Sequence, residues 1–298
     1  MKLLIVGCGY VGSALARARQ GKDQIWGVTM TEERHPSLRS SGIEPVAADV
    51  RSANWTHDLP DQIDAIINTI SSGGADYREI YWKSNYDLLQ KYRADPPRYF
   101  IYTSSTSVYT QIDSRIVSED APAVPTTNPG QILLDTEQLL LSAREFSSMV
   151  ILRLAGIYGP GRHALLDDLR EGMSRFSEDP TRWVNQIHCD DAASAIAHLL
   201  EAAPHHQTYN VVDDEPVRYG DLLAWLAGQL GIPPPIYDAA APKTRTRQGP
   251  RPHRRISNSK LRATGWKPRF PSYREGMAGI LRSVPPKASL AKGGERGA

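Results

Sequence analysis

Cysteine is nearly absent. Cys8 and Cys189 are the only two in 298 residues, and Cys8 lies inside a glycine-rich turn, which argues against a disulfide framework or a cysteine-ligated metal cluster and for a reducing compartment. Charge of one sign is scarce as well. The 35 Lys and Arg stand against 33 Asp and Glu, for a formal net charge of +2, too little on its own to imply a nucleic-acid or membrane partner. Long apolar runs are missing too: no segment approaches the ~18 apolar residues of a membrane span. The run Leu3, Leu4, Ile5, Val6 before Cys8 is shorter than the roughly 7 to 15 residues of a signal peptide's apolar core. The expectation is a cytoplasmic protein with no metal, no nucleic acid and no membrane among its partners.

What is present is a nucleotide-binding signature. Residues 3–16 read Leu-Leu-Ile-Val-Gly-Cys-Gly-Tyr-Val-Gly-Ser-Ala-Leu-Ala, a G-x-G-x-x-G turn between an apolar strand and an Ala/Leu-rich helix. Gly7 permits the tight turn, Gly9 leaves the backbone bare for a pyrophosphate, and Gly12 lets the helix pack closely on the strand, while free N–H groups at the helix start face the anion. Tyr10 and Val11 complete the turn. Strands are then expected over 24–30, 44–49, 64–70 and 99–104, with a short helix ending near Gly42 and a longer one over 77–92. That βαβ rhythm demands a parallel sheet with helices on both faces. Tyr77, Ile80, Tyr81, Leu88, Leu89 and Tyr92 recur at helical spacing and read as core.

Residues 111–130 read as a surface loop before a helix over 131–146, and a buried strand over 150–155 runs into a second turn-rich loop, 156–162. Ligands bind at such strand ends in open α/β sheets. A helix over 191–203, a strand over 208–213, a helix over 219–231 and a last helix near 272–282 follow, and the tail 283–298 is expected to be disordered.

Several separated motifs together resemble the extended and atypical branches of the short-chain dehydrogenase/reductase family, the NAD-dependent epimerase/dehydratases. They are the glycine turn; Asp49-Val50; Tyr102-Thr103-Ser104-Ser105-Thr106-Ser107-Val108-Tyr109; residues 152–162, Leu-Arg-Leu-Ala-Gly-Ile-Tyr-Gly-Pro-Gly-Arg; residues 185–193, Asn-Gln-Ile-His-Cys-Asp-Asp-Ala-Ala; residues 209–214, Tyr-Asn-Val-Val-Asp-Asp; and residues 255–261 with Gly265-Trp266. The resemblance implies a doubly wound Rossmann sheet, mainly over 1–160, and a small discontinuous C-terminal α/β substrate lobe, mainly over 161–282, with some segments returning to the sheet. It implies that Asp49 and Val50 meet the adenine, with Thr69 and Ile70 beside the cofactor, that Gly156 and Ile157 line the nicotinamide, and that Ser105 holds a substrate oxygen.

One departure matters. The family's hydride chemistry uses a Y-x-x-x-K pair, in which the lysine holds the nicotinamide ribose and lowers the tyrosine's pKa. Matching Glu137-Gln138-Leu139 to the family's helix puts Pro129 at the tyrosine and Leu133 at the lysine, and a one-residue shift gives Gly130 and Leu134. A positioned acid or base supplies about 10² to 10⁴ in rate, so its loss has to be answered. Tyr109 and Tyr158, at two strand ends, are the substitutes expected for proton donation, and Tyr102 reads as packing. The alternatives are a substrate that needs no such donor, or a non-catalytic NADP(H)-binding sensor or scaffold.

The second strand ends Val28-Thr29-Met30-Thr31 with no acid at the tip itself, and Glu32, Glu33 and Arg34 follow. A strand-tip acid would hold the ribose 2′-hydroxyl of NAD. Thr29, Thr31 and Arg34 suit a 2′-phosphate, Met30 and the two glutamates count against one, and the balance leans to NADP over NAD. Residues 243–269 carry Lys243, Arg245, Arg247, Arg251, Arg254, Arg255, Lys260, Arg262, Lys267 and Arg269 with no acid between them, a local field that attracts anions. Arg255, with Arg162 from the strand-end loop, is expected to hold substrate phosphate through guanidinium forks, and His188 to orient loops near the substrate. Asp190 is expected to cap the helix that follows it. The function expected is an NAD(P)-dependent oxidoreductase or epimerase acting on a small polar, phosphorylated or nucleotide-linked molecule, with a homodimer admitted.

Overall fold

The computed structural model describes residues 1–202, 204–241 and 252–283. Four of the basic residues singled out above, Lys243, Arg245, Arg247 and Arg251, lie outside the described residues, as does the tail from 284 on.

The chain begins as the glycine turn requires: strand β1 (Lys2–Val6), then helix α1 (Tyr10–Arg19). Strands β2 (Gln24–Thr29) and β3 (Ile43–Ala47) follow, with the short helix α2 (His35–Ser40) between them. Next come β4 (Ala65–Asn68), a π-wound turn (Arg78–Lys83) running into α3 (Ser84–Lys91), and β5 (Tyr99–Ser105). Helix α4 (Asn128–Ser142) leads to β6 (Ser148–Leu154). It starts three residues earlier than its composition suggests, because Pro129 sits in its first turn, where a missing N–H costs nothing, and the Thr127 side chain accepts from Gly130 N.

Beyond the sheet's centre lie β7 (Gly156–Tyr158), α5 (Ala164–Arg170), β8 (Gln186–His188), α6 (Cys189–Ala202), β9 (Gln207–Val211), α7 (Tyr219–Leu230), α8 (Ser259–Ala263) and α9 (Tyr273–Ser283). Helix α6 takes in Cys189, so Asp190 is not its cap. It stands with Asp191 in the first turn, where carboxylates complement the helix dipole.

Seven strands form one parallel sheet in the order β9-β6-β5-β4-β1-β2-β3. The alternation within each strand explains why both faces are covered. Leu3 and Ile5 of β1, Ile101 of β5 and Val150 and Leu152 of β6 enter one apolar cluster with α1 and α6. Leu4, Val6, Phe100, Tyr102, Met149 and Ile151 enter another, with Trp55, Leu88 and Phe146. Strands buried on both faces need such near-continuous apolar sequence. A third cluster joins Tyr158, Leu166, Phe176, Tyr219, Leu222, Leu226, Tyr273, Met277 and Ile280 away from the sheet. Because β2 and β4 lie on opposite sides of β1, the strand order reverses there, and a crevice opens at the carboxyl ends of β1 and β4.

Candidate cofactor and active-site cleft

That crevice is a cleft of about 750 Å³. Its floor is the glycine turn. Gly7 has φ +80°, and a Cβ there would lie 2.7 Å from the Ile70 backbone, so only glycine fits. A Cβ at Gly12 would lie 2.7 Å from Gly7 O and 2.8 Å from Thr69 Oγ1, and Thr69 itself donates to Gly7 O at 2.8 Å. Gly9 differs: a Cβ there would meet nothing nearer than Gly7 O at 3.8 Å. The bare backbone at Gly9 thus faces open room beside the start of α1, which suits paired phosphates.

One wall carries the strand ends expected to hold an adenosine. Thr29, Met30, Thr31, Arg34, Asp49, Val50 and Arg51 all line it. Arg34 lies across the glycine turn, donating to Cys8 O at 2.8 Å and Ser13 Oγ at 2.9 Å. Asp49 is engaged by Arg51, whose guanidinium reaches both carboxylate oxygens at 2.5 to 3.1 Å. This pairing holds the Asp49 carboxyl below its ordinary range. Arg51 gave no sign in the sequence, since its role depends on a fold-back onto Asp49 two residues earlier.

At the other end, Thr69, Ile70, Ser105, Leu133, Gly156, Ile157 and Arg162 line the cleft with Tyr10 and Val11. Ser105 Oγ accepts from Ser107 N at 3.1 Å and keeps its own hydroxyl hydrogen to offer. Tyr10 donates to Pro160 O at 3.0 Å, and Arg162 lies 5.6 Å over its ring, so the strand-end loop is pinned to the glycine turn. Leu133 presents a hydrocarbon where the family pattern has its lysine. The alternative tyrosine position, Gly130, is crowded, because a Cβ there would lie 2.9 Å from Pro125 Cβ.

Four expected residues stand elsewhere. Tyr109 is buried, donating to Asn210 Oδ1 at 3.0 Å and accepting from Arg153 at 2.7 Å; burial pushes its phenol up. Its hydroxyl is committed to a structural network and does not line the cleft. Tyr158 packs into the third cluster against Gly276, with its hydroxyl 3.4 Å from Ser272 O, and burial raises it too. Both are corrected from proton donors to packing residues, for one reason: a strand end can turn its side chain down into the core as readily as up into the crevice. His188 is likewise buried, its ring 4.2 Å from Phe270 and 5.3 Å from Tyr158. Arg255 donates to Ser114 O at 3.1 Å and lies 5.3 Å over Trp183, outside the cleft lining.

His188, Cys189 and Asp190 bring ligand-type atoms within 4.8 Å of one another. The Asp190 side chain is exposed, while the other two are buried: His188 Nδ1 accepts from Asp190 N at 3.2 Å, and burial raises the Cys189 thiol.

Two groups of residues were not foreseen. Tyr77 and Tyr81, assigned to the core by their spacing, line the cleft together with the buried Ile80, whereas Leu88, Leu89 and Tyr92 of the same stripe are buried away from it as expected. Behind the cleft, Ser104 donates to Glu137 at 2.5 Å and Glu137 takes a bidentate pair from Arg153 at 2.6 to 3.2 Å. Burial of this ion pair is nearly complete.

A dinucleotide-binding α/β protein of the epimerase/dehydratase kind is the class that this sheet order and this cleft define. The chain belongs to the NAD-dependent epimerase/dehydratase family, whose model matches residues 3–211. It is 31% identical over 244 residues to protein YeeZ of Escherichia coli (strain K12), covering 79% of this chain and 86% of that one. It is 28% identical over 207 residues to the 3-diazoavenalumate denitrifying reductase of a Streptomyces species, covering 64% and 67%. Among solved structures, a conserved protein of unknown function from Silicibacter pomeroyi superposes with a TM-score of 0.80 at 27% identity, covering 95% of this chain and 99% of that one. A nicotinamide dinucleotide is accordingly this chain's cofactor class, and the open backbone at Gly9 fits its phosphates. Among the described residues, no helix is long and apolar enough to cross a membrane.

Proposed function

We propose that the protein is an NADP(H)-dependent oxidoreductase that reduces a carbonyl group on a small polar molecule, without the family's Tyr/Lys pair. The observation that carries this reading is one continuous cleft joining the glycine turn and the Arg34 and Arg51 guanidiniums to Ser105, Gly156 and Ile157. The dihydronicotinamide supplies a hydride from C4; the remaining tasks fall to this chain. Gly7 and Gly9 seat the phosphates, Ser105 donates a hydrogen bond to the substrate oxygen, and Arg162 offers an exposed cation at the rim. Two guanidiniums in a lining whose one carboxylate among the described residues, Asp49, is already paired suit a 2′-phosphate. A reductase among the relatives favours net reduction over epimerisation.

Oxidation of NADPH on adding a panel of aldehydes, ketones and nucleotide sugars tests the reading. Turnover is expected with wild type and should fall by about 10² or more in Ser105→Ala, a loss typical of removing one donor to a developing oxyanion. Tight NADPH binding without turnover across the panel would replace the enzyme reading with that of a sensor, which the hydrocarbon at Leu133 favours.

A further inference from the structure

Among the described residues, the titratable side chains lining the cleft are Cys8, Tyr10, Arg34, Asp49, Arg51, Tyr77, Tyr81 and Arg162. Most are committed elsewhere or unsuited to giving up a proton. The arginines do not deprotonate. Cys8 is buried under the turn, Tyr10 donates to Pro160, and Asp49 is held by Arg51. Tyr81 accepts from Ser72 N at 3.1 Å, and burial raises its phenol. Tyr77 is half-buried, and its hydroxyl has no hydrogen-bond partner among the described residues.

Its position is fixed from three sides. Tyr77 immediately precedes the π-wound turn Arg78–Lys83, a winding that recurs at functional sites. The turn packs on α4, with Arg78 3.8 Å from Asp135, two residues from Leu133. Tyr77 and Ile157 both pack on the apolar cluster that contains Leu133. The Tyr81 ring, 5.0 Å away and inclined at 58°, backs Tyr77 on its remaining side.

We propose that Tyr77, reaching the cleft from the helix that faces α4, is the proton donor that replaces the missing pair, with Tyr81 as its positioning residue. The inference rests on the reductase reading. In the step, a substrate carbonyl carbon gains hydride from C4 of the reduced coenzyme, the carbonyl π pair moves onto oxygen, and that oxygen takes the phenolic proton of Tyr77. The phenolate then recovers a proton from water. A phenol, protonated at neutral pH as a class, can perform this step without a neighbouring lysine because it gives a proton and never has to start as a base.

The test uses the full chain. With an aldehyde that the wild type reduces, Tyr77→Phe should lower kcat by about 10² to 10⁴, leaving the NADPH dissociation constant, read by fluorescence titration, within twofold; Tyr81→Phe should lower kcat only a few-fold. Independently of turnover, Tyr77→3-fluorotyrosine with NADP+ bound should show a ¹⁹F shift when 4-nitrobenzaldehyde is added, and Tyr81→3-fluorotyrosine a smaller one. Wild-type kcat in Tyr77→Phe, or an unmoved resonance at position 77, would overturn the assignment while leaving the reductase standing. A wild type that binds NADPH yet reduces no carbonyl of the panel would overturn both.

Discussion

Asp213 shows how much one side chain can carry without touching the cleft. It is the first of the two acids that close the 209–214 motif, the residue is 2% exposed, and among the described residues only Oδ1 has a partner, the Glu215 N–H at 3.3 Å; Oδ2 has none. Burial raises its pKa well above the usual carboxylate range, with the neighbouring Asp214 and Glu215 adding to the rise. An acid whose folded pKa is raised binds more protons folded than unfolded, so stability falls as pH climbs from the unfolded value near 4 toward the folded one. Asp213→Asn removes that dependence. The variant is expected to match wild type below about pH 4 and to exceed it near neutrality by about 1 to 3 kcal/mol, measured as denaturant midpoints across a pH series. Equal midpoints at pH 7 would mean that the carboxylate is satisfied where the structure leaves it bare.

Between elements, the decisive feature is the ion pair linking β5, α4 and β6. Arg153 and Glu137 are buried together, Ser104 donates to one end, and Tyr109 with Asn210 extends the other to β9 and the Ser257 carbonyl. A buried charge stripped of its partner is costly, so Arg153→Met should destabilise by about 3 to 5 kcal/mol, and the double replacement Arg153→Met with Glu137→Leu should recover much of that loss. Urea unfolding of the three chains reads both. A double variant as unstable as the single one would show that the hydroxyls of Ser104 and Tyr109, not the ion pair, set the cost. The same elements show what sequence could and could not disclose. The glycine turn was legible because strand, turn and helix are adjacent in the chain, although the contacts that demand glycine at positions 7 and 12 come in part from Thr69 and Ile70 on a neighbouring strand end. The parallel sheet was legible because its strands are apolar on both faces. Glu137 and Arg153 stand 16 residues apart, on a helix and a strand, and no local period joins them. Tyr77 and Tyr81 were hidden differently: at helical spacing, a stripe that faces the core and one that runs up to a cleft's lip read alike, and only the packing of the π-wound turn on α4 separates them. Tyr109 and Tyr158 sat at strand ends, as a donor should, but chain position does not tell which way a side chain turns there.

At the scale of the whole molecule, a ligand that seats itself between β1, β2, β4 and the loop after β6 must stabilise everything those strands hold. Binding to the native state alone adds RT ln(1 + [L]/Kd), about 2.7 kcal/mol at a hundred times Kd, so saturating coenzyme should raise Tm by several degrees. The two coenzymes should not do so equally. With Arg51 drawn onto Asp49 and Arg34 laid across the turn, the cleft lining at the adenosine end presents guanidinium edges and, among the described residues, no carboxylate but the paired Asp49, and NADP+ is expected to raise Tm more than NAD at matched concentration. Arg51→Ala tests the arrangement as a unit, because it removes a cation and also releases Asp49. The freed carboxylate repels a 2′-phosphate and accepts from a 2′-hydroxyl, so the NADP+ affinity should drop by at least about tenfold while that for NAD holds or improves. Thermal shifts titrated with each coenzyme measure both arms. Were the variant to lose both coenzymes alike, Arg51 would be acting on the shape of the loop that carries Asp49 and Val50, and the preference would have to come from Arg34 and the threonines at the tip of β2.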